Sequence, residues 1–561
     1  MRTAAIVLAL AALATTPALL LSDSGIAGSR SAAVPPDESG LETARARAAR
    51  FERAVAASDR VLRAWLRHAD PRTKLLPDRV AGPGGGLRPG ERPRYTPHNS
   101  GADLYPYLIL TAHFTDPSMV DGVLLEMLRN EIRYTTAPGT HVPGPLDFDS
   151  DVPGPPSLFG AGEYAKDGLI TVTEYLGRTP WFARLVDMVA DAMERAPVQS
   201  RFGPLPASDS ELNGDYLQVL PRLALMTGDR RFVEWARRIG DAYVEEVLPG
   251  NHGVPSTEWD FVGHTGTPRL RLRDHGNELV VGLVLQFAVE QHLGTARATR
   301  WRPVIARMLD RILESANPDG LLYDEVDAAT LQPVSTRLSD NWGYVYGAIY
   351  TFHQVTGEAK YRDAVLRVLR NLPKYRRHVW EPRNDPSMPL GSFDGYADAI
   401  ESAIYLVNRE PVAEAFDWIE SEMDVMLGMQ RPDGHIEYWY GEGNFNRTAL
   451  LYALMQSRGV RPAHWRPGIG IGAAPHGDGL ALHVAASGPV RVRFDYARHR
   501  RELNLPANYV RLNEFPEWFV VDETALYRIG RPGGPDADVR LGAELVRGIE
   551  LAPGDWIVER N

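Results

Sequence analysis

A phrase of polar residues opening a nearly all-apolar helix recurs seven times in this 561-residue chain, and nothing else in the sequence restricts its fold as much. The copies are His98-Asn99-Ser100-Gly101-Ala102-Asp103, Glu163-Tyr164-Ala165-Lys166-Asp167, Glu211-Leu212-Asn213-Gly214-Asp215, Asp274-His275-Gly276-Asn277-Glu278, Asp340-Asn341-Trp342-Gly343-Tyr344, Asp394-Gly395-Tyr396-Ala397-Asp398 and Gly443-Asn444-Phe445-Asn446-Arg447. They stand roughly 50 to 65 residues apart, room for two helices and their loops. A second phrase alternates with the first. Thr227-Gly228-Asp229-Arg230-Arg231-Phe232 and Thr356-Gly357-Glu358-Ala359-Lys360-Tyr361 are near copies, and Leu176-Gly177-Arg178-Thr179-Pro180-Trp181 is a variant. Gly suits the left-handed residue that ends one helix, and acidic or Thr-Pro residues suit the start of the next. After Gly228 the residues Phe232, Trp235, Ala236, Ile239, Tyr243 and Val247 fall on one helical face.

A helix apolar all round must be buried, whereas a two-faced helix lies outside. Alternation of the two kinds predicts stacked hairpins, as an open solenoid or a closed ring. The long Gly/Pro-rich loops before each buried helix favour a ring with a decorated mouth. The expected fold is therefore mainly α: an (α/α)6 or (α/α)7 toroid over residues 41–460. From about Arg461 the pattern changes. Residues 461–479 read as a Gly/Pro-rich linker, and 480–561 as a small antiparallel β-domain, from short runs such as Leu480–Val484, Val490–Phe494, Trp518–Val521 and Val539–Leu541.

At the N-terminus Arg2 precedes an apolar run from Ala4 to Leu21, with small-residue cleavage sites at Ala12-Leu13-Ala14 and Thr16-Pro17-Ala18. Residues 1–27 are read as a signal peptide and 28–40 as a linker, which implies export to the periplasm or the outside, with no membrane attachment after signal removal. An uncleaved membrane anchor is the other reading, because the run is nearly long enough to span a bilayer. The chain has no cysteine, which excludes disulfides, thiolate nucleophiles and Cys-based metal centres. A net charge of −11 argues against a nucleic-acid partner. No spacing suggests a helix-borne metal site, and Asp147-Phe148-Asp149-Ser150-Asp151 lacks the Gly and Glu of a calcium loop. No cofactor or metal is expected. Oligomeric state is not legible.

In five copies of the polar phrase two polar residues stand four apart: Asn99/Asp103, Glu163/Asp167, Glu211/Asp215, Asp274/Glu278 and Asp394/Asp398. That spacing places both on one face of a first helical turn. Such residues are also ordinary helix caps. The second of each pair is harder to explain so, because an unpaired carboxylate one turn inside an apolar helix is costly to bury. In a ring whose inner helices run the same way, all these turns meet at one mouth. Acids, amides and the aromatics Trp342, Tyr344, Tyr396, Trp439 and Tyr440 then form a cup suited to an oligo- or polysaccharide. Two carboxylates there would supply acid and base for glycoside cleavage. The candidate catalytic residues are Asp103, Asp167, Glu211, Asp215, Asp340 and Asp398. Candidate substrate-binding residues are His98, Asn99, Asn213, His275, Asn277, Trp342, Tyr396 and Tyr440.

The phrases Asn213-Gly214-Asp215-Tyr216-Leu217 and Thr227-Gly228-Asp229, with Asn341-Trp342-Gly343-Tyr344, resemble those of α/α-toroid carbohydrate-active enzymes, unsaturated glucuronyl hydrolases and other toroid glycoside hydrolases nearest among them. The toroid followed by a β-domain also resembles the heparinase and alginate lyase type. The resemblance spans about residues 90–460. It implies an exported glycoside hydrolase, on uronate-containing glycans in one version. The alternatives are a polysaccharide lyase acting by β-elimination and a non-catalytic glycan-binding protein.

Overall fold

The alternation of apolar and two-faced helices closes into a ring. A computed structural model describes residues 38–273, 278–384, 386, 388–534 and 537–561. The expected signal peptide and most of the linker lie outside the described residues, as do Asp274, His275, Gly276 and Asn277. Ser39–Asn561 forms one unit. Among the described residues no helix is long and apolar enough to cross a membrane.

In chain order the helices are α1 (Glu38–Leu66), α2 (Tyr105–Thr115), α3 (Leu125–Thr135), α4 (Ile170–Leu176), α5 (Pro180–Glu194), α6 (Ser210–Thr227), α7 (Arg230–Ala242), α8 (Glu278–His292), α9 (Ala296–Glu314), α10 (Trp342–Thr356), α11 (Ala359–Asn371), α12 (Phe393–Arg409), α13 (Ala413–Gly428) and α14 (Glu442–Ser457). Even-numbered helices are buried nearly all round and form the inner ring. Each packs on the next, α4 on α6 through the turn Tyr164–Leu169 that leads into it, and α14 packs on α2. Of the six or seven hairpins expected, seven are present among the described residues, because α1 is the outer partner of α14: Trp65 donates to Glu442 Oε2 at 2.7 Å and Arg60 to Gln430 Oε1 at 3.0 Å. Gly228 and Gly357 end α6 and α10 in the left-handed conformation, as the repeated phrase requires.

The glycine inside the polar phrase has a different task. A Cβ on Gly443 would stand 1.6 Å from the carbonyl oxygen of Asp103, and one on Gly214 would stand 2.3 Å from the backbone nitrogen of Leu279. These glycines let one inner helix start lie against the next, so the polar first turns are drawn together at one end of the ring. Two of these starts are π-helical, Pro97–Leu104 before α2 and Tyr164–Leu169 before α4, and they pack on each other. Two caps stand directly before their helices, Asp209 accepting from Leu212 N at 2.8 Å and Ser392 from Asp394 N at 3.2 Å, whereas Asp78, which accepts from Ser100 N at 3.2 Å, comes from elsewhere in the sequence.

The C-terminal strands are β1 (Arg461–Pro462), β2 (Gly470–His476), β3 (Gly479–Ala485), β4 (Val490–Arg493), β5 (Leu526–Gly530), β6 (Ala537–Leu541), β7 (Ile549–Leu551) and β8 (Gly554–Arg560). They form antiparallel sheets of order β6-β5-β8-β3-β2 and β7-β4-β1. The expected linker at 461–479 is therefore partly sheet. Its Gly-Ile-Gly-Ile-Gly run was misread because glycine weakens strand propensity; here a Cβ on Gly472 would stand 1.9 Å from the Ala44 carbonyl of α1, so the strand lies directly on the helix backbone. Trp518–Val521 forms only a bridge, Val520 to Asp495.

Residues 495–517 run beneath the ring, against the C-terminal halves of the inner helices. Arg511 pairs with Glu174 at 2.7 Å, Arg409 with Glu514 at 2.8 Å, and Arg498 with Asp495 at 2.9 Å, all buried. Thr351 donates to the Val510 carbonyl at 3.1 Å. Removing one member of such a pair would leave a buried charge uncompensated.

Candidate active site

The polar first turns surround a cavity of about 600 Å³. Its walls carry Asp103, Asp167, Glu278, Asp394 and Asp398 from inner helix starts. Asn341, Tyr344, Asn444 and Arg447 join them, and Leu512 and Asn513 reach it from the C-terminal region. At its rim stand Arg79, Arg383, Glu437, Trp439 and Tyr440.

One side is organised around Lys166. Its buried ammonium lies 2.9 Å from Asp167 Oδ2, 3.0 Å from Glu278 Oε1, 3.4 Å from Glu163 Oε1 and 3.6 Å from Asp215 Oδ1. Burial alone would lower the Lys166 pKa, but these four carboxylates overcome it and hold the group well above its ordinary value. One positive charge cannot neutralise four buried carboxylates, so the cluster retains protons. Burial, then Glu163, pushes Asp215 well above the usual carboxylate range. Burial raises Asp167 to about 7 against the pull of Lys166. Asp103 is raised well above its ordinary value by burial and by the neighbouring Asp167 and Glu163. Its side chain faces the cavity and makes no hydrogen bond or ion pair among the described residues.

The other side is organised around Arg447. Its guanidinium grips Glu401 with both arms, at 2.6 and 2.5 Å, reaches Asp398 Oδ1 at 3.2 Å and donates to the Tyr107 hydroxyl at 3.1 Å. Asp398 also accepts from Asn341 Nδ2 at 2.8 Å and from the Tyr344 hydroxyl at 2.9 Å. The Tyr344 hydroxyl also lies against Glu401, so its single proton serves one of the two acids; Arg447 and Asn341 donate to Asp398 in either case, which favours its ionised form. Between the two sides, Asp394 accepts from Asn444 Nδ2 at 3.0 Å and is raised well above its usual range by burial and Glu381.

Of the sequence-predicted residues, Asp103, Asp167, Asp398 and Tyr440 line the cavity, and Asp215 lies just beneath it against Lys166. The others do not. Asn99 donates to Asp78 at 3.1 Å within the cap of the first turn, because a π-helical turn separates it from Asp103. His98 is half-buried with its ring against Phe159. Asn213 holds the start of α6 by donating to the carbonyls of Ala207 and Asp209, at 2.9 and 2.7 Å. Glu211 and Asp340 stand outside the cavity lining, Asp340 accepting from Asn341 N at 3.1 Å. Trp342 and Tyr396 are core residues with no exposed surface. His275 and Asn277 lie outside the described residues. The residues missed as site members are Lys166, Glu278, Glu401, Arg447, Arg79 and Asn513. The first four lay inside or one turn beyond the recognised phrases, and their pairing was invisible without the ring. Asp149 and Asp151, in the acidic loop, pair with Arg92 and Arg72.

No protein-family model matches the chain, and no curated protein matches it. Solved structures of low likeness include unsaturated glucuronyl hydrolase from Bacillus sp. GL1, at 13% identity over 54% of this chain and 87% of that one, TM-score 0.39. Cellobiose 2-epimerase from Spirochaeta thermophila is 12% identical over 72% and 97%, TM-score 0.41. An α-1,6-mannanase from Salegentibacter sp. in complex with α-1,6-mannotriose is 12% identical over 57% and 94%, TM-score 0.40. At such scores the likeness carries no weight for function.

Proposed function

We propose that this chain is an exported glycoside hydrolase acting on oligosaccharides that carry a uronate, at the mouth of the helical ring. The observation that carries the reading is Asp103: a carboxyl facing the cavity with no hydrogen bond or ion pair among the described residues, where burial and the acidic neighbours Asp167 and Glu163 favour its protonated form. That is the state required of a general acid at neutral pH. Asp103 protonates the departing glycosidic oxygen. Asp398, on a different inner helix and oriented by Asn341, Tyr344 and Arg447, serves as the second carboxylate, taking a proton from water or attacking the sugar carbon. Trp439 and Tyr440 offer faces on which a sugar ring stacks. Arg79 lines the rim with no ion pair or side-chain hydrogen bond among the described residues, and a guanidinium so placed suits a sugar carboxylate. The apolar run Ala4–Leu21 supports export, and N-terminal sequencing of the mature chain would test it.

The test is a screen of uronate-containing oligosaccharides read in two ways. New reducing ends without ultraviolet absorbance support hydrolysis. New absorbance from an unsaturated uronate replaces this reading with β-elimination, and binding without product replaces it with a glycan-binding role. On a cleaved substrate, Asp103→Asn is expected to lower kcat by about 10² to 10⁴. Retained activity would remove Asp103 from the acid role.

A further inference from the structure

The ring supplies the walls of the cavity but not its floor. Among the described lining residues only Leu512 and Asn513 come from outside the ring and its mouth loops. Asn513 is buried and sits in the left-handed region at φ 57°, where asparagine is tolerated better than most residues. Its position is fixed from both sides. Arg511 and Glu514 are locked into buried ion pairs with Glu174 and Arg409, and Thr171 of α4 donates to the Asn513 carbonyl at 3.2 Å. The side-chain amide then has one place to go: Nδ2 donates to Asp167 Oδ1 at 2.6 Å.

We infer that Asn513, delivered through the far end of the ring by the C-terminal region, is a positioning residue that orients Asp167 and sets how readily it gives up its proton. The inference rests on the proposed function for its activity arm only. Lys166 cannot orient Asp167 alone, because its ammonium is shared among Asp167, Glu278, Glu163 and Asp215. The amide fixes the other oxygen, so both Asp167 oxygens have a defined donor. An amide is also the side chain the surroundings require. The groups facing Asp167 are the carboxyls of Asp103, Glu163, Asp215 and Glu278, the Lys166 ammonium, and the Tyr107 hydroxyl, which donates to the Asp167 carbonyl at 2.5 Å. One more carboxylate would add to the repulsion. A neutral donor stabilises the ionised form without adding charge. The C-terminal region is thus part of the active site, not an appendage to it.

The test needs no substrate. Difference infrared spectra of the full-length protein labelled with ¹³C-aspartate are recorded across pH, and the Asp167 carboxyl band is assigned by its loss in Asp167→Asn. Asn513→Gly keeps the left-handed backbone without strain and removes only the amide. The expected result is a titration of Asp167 moved to higher pH by about one unit. Asn513→Asp, which keeps the size and backbone preference of the residue, should move it the same way or further, and it serves if the glycine variant folds poorly. An unmoved midpoint in a folded variant overturns the inference. On any oligosaccharide the wild type cleaves, Asn513→Gly should shift the pH–rate profile to the alkaline side with KM little changed, whereas a merely structural loss lowers activity evenly across pH. If the wild type cleaves nothing, the proposed function fails while the infrared result still decides the role of Asn513.

Discussion

The two sides of the cavity solve the same problem in opposite ways. On the Arg447 side one cation faces two carboxylates, and burial raises Glu401 to about 7 against the pull of Arg447. One bidentate guanidinium meets Glu401 and Asp398, and neutral donors from Asn341 and Tyr344 finish the job. On the Lys166 side charge is left unbalanced, with one ammonium among four carboxylates and Asp103 close by. The cluster with fewer carboxylates per cation, and with neutral donors beside it, holds a geometry, whereas the one with four carboxylates per cation stores more protons. In the proposed mechanism the general acid, Asp103, belongs with the second and the oriented carboxylate, Asp398, with the first.

The sharpest way to break this contrast is to remove each cation. Lys166→Met leaves four buried carboxylates without their counter-charge and is expected to destabilise the fold by about 5 kcal/mol, less at acidic pH where those groups take up protons. Arg447→Met should cost about 3 kcal/mol, and the paired change Arg447→Met with Glu401→Leu should recover most of it, because a buried pair replaced as a whole is often neutral. No single carboxylate removed beside Lys166→Met should rescue as much. Urea midpoints at pH 5 and pH 8 measure all four variants, and equal rescue on both sides would erase the contrast.

A smaller effect follows in the wild type. Asp167 titrates near 7 in the folded protein, and Asp103, Asp215 and Asp394 are also raised, all from an ordinary value near 4. The folded state therefore binds more protons than the unfolded chain between about pH 4 and 7, and stability falls as pH rises through that window. The fall is on the order of a few kcal/mol. Asp167→Asn should flatten its upper part. A denaturation series that grows more stable from pH 5 to 7 would contradict the protonated state assigned to the Lys166 side.

Hairpin alternation was legible because burial all round against burial on one face is written directly into residue periodicity, as in α6 against α7. That the polar first turns meet was also legible, since the alternation allows a ring and the long Gly/Pro-rich loops before each buried helix favour it. Which residue of each turn faces the cavity was not. The i, i+4 rule holds for Asp394 and Asp398, which sit on a regular helix and both line the cavity. It fails for Asn99 and Asp103, where the turn is π-helical. Cross-ring partners are further out of reach: Glu278 and Lys166 are 112 residues apart, and Asp167 and Asn513 are 346 apart. Nothing local in the C-terminal sequence marks Asn513, because its role comes from a floor that exists only once residues 495–517 are docked.

The smallest expected effects belong to two acids that share the recognised phrases but stand outside the cavity lining, one beside each half. Glu211 is half-buried at the start of α6. Asp340 precedes α10, and burial together with Asp398 raises it well above its usual range against the pull of Arg337, 3.5 Å away. Glu211→Gln and Asp340→Asn each preserve shape and should change stability by no more than about 0.5 kcal/mol. Neither should alter kcat on a cleaved oligosaccharide by more than about twofold, because neither touches the reacting bond. A large loss in Asp340→Asn alone would mean that Asp340 exchanges a proton with Asp398 during reaction, and the two acids would then act as a pair.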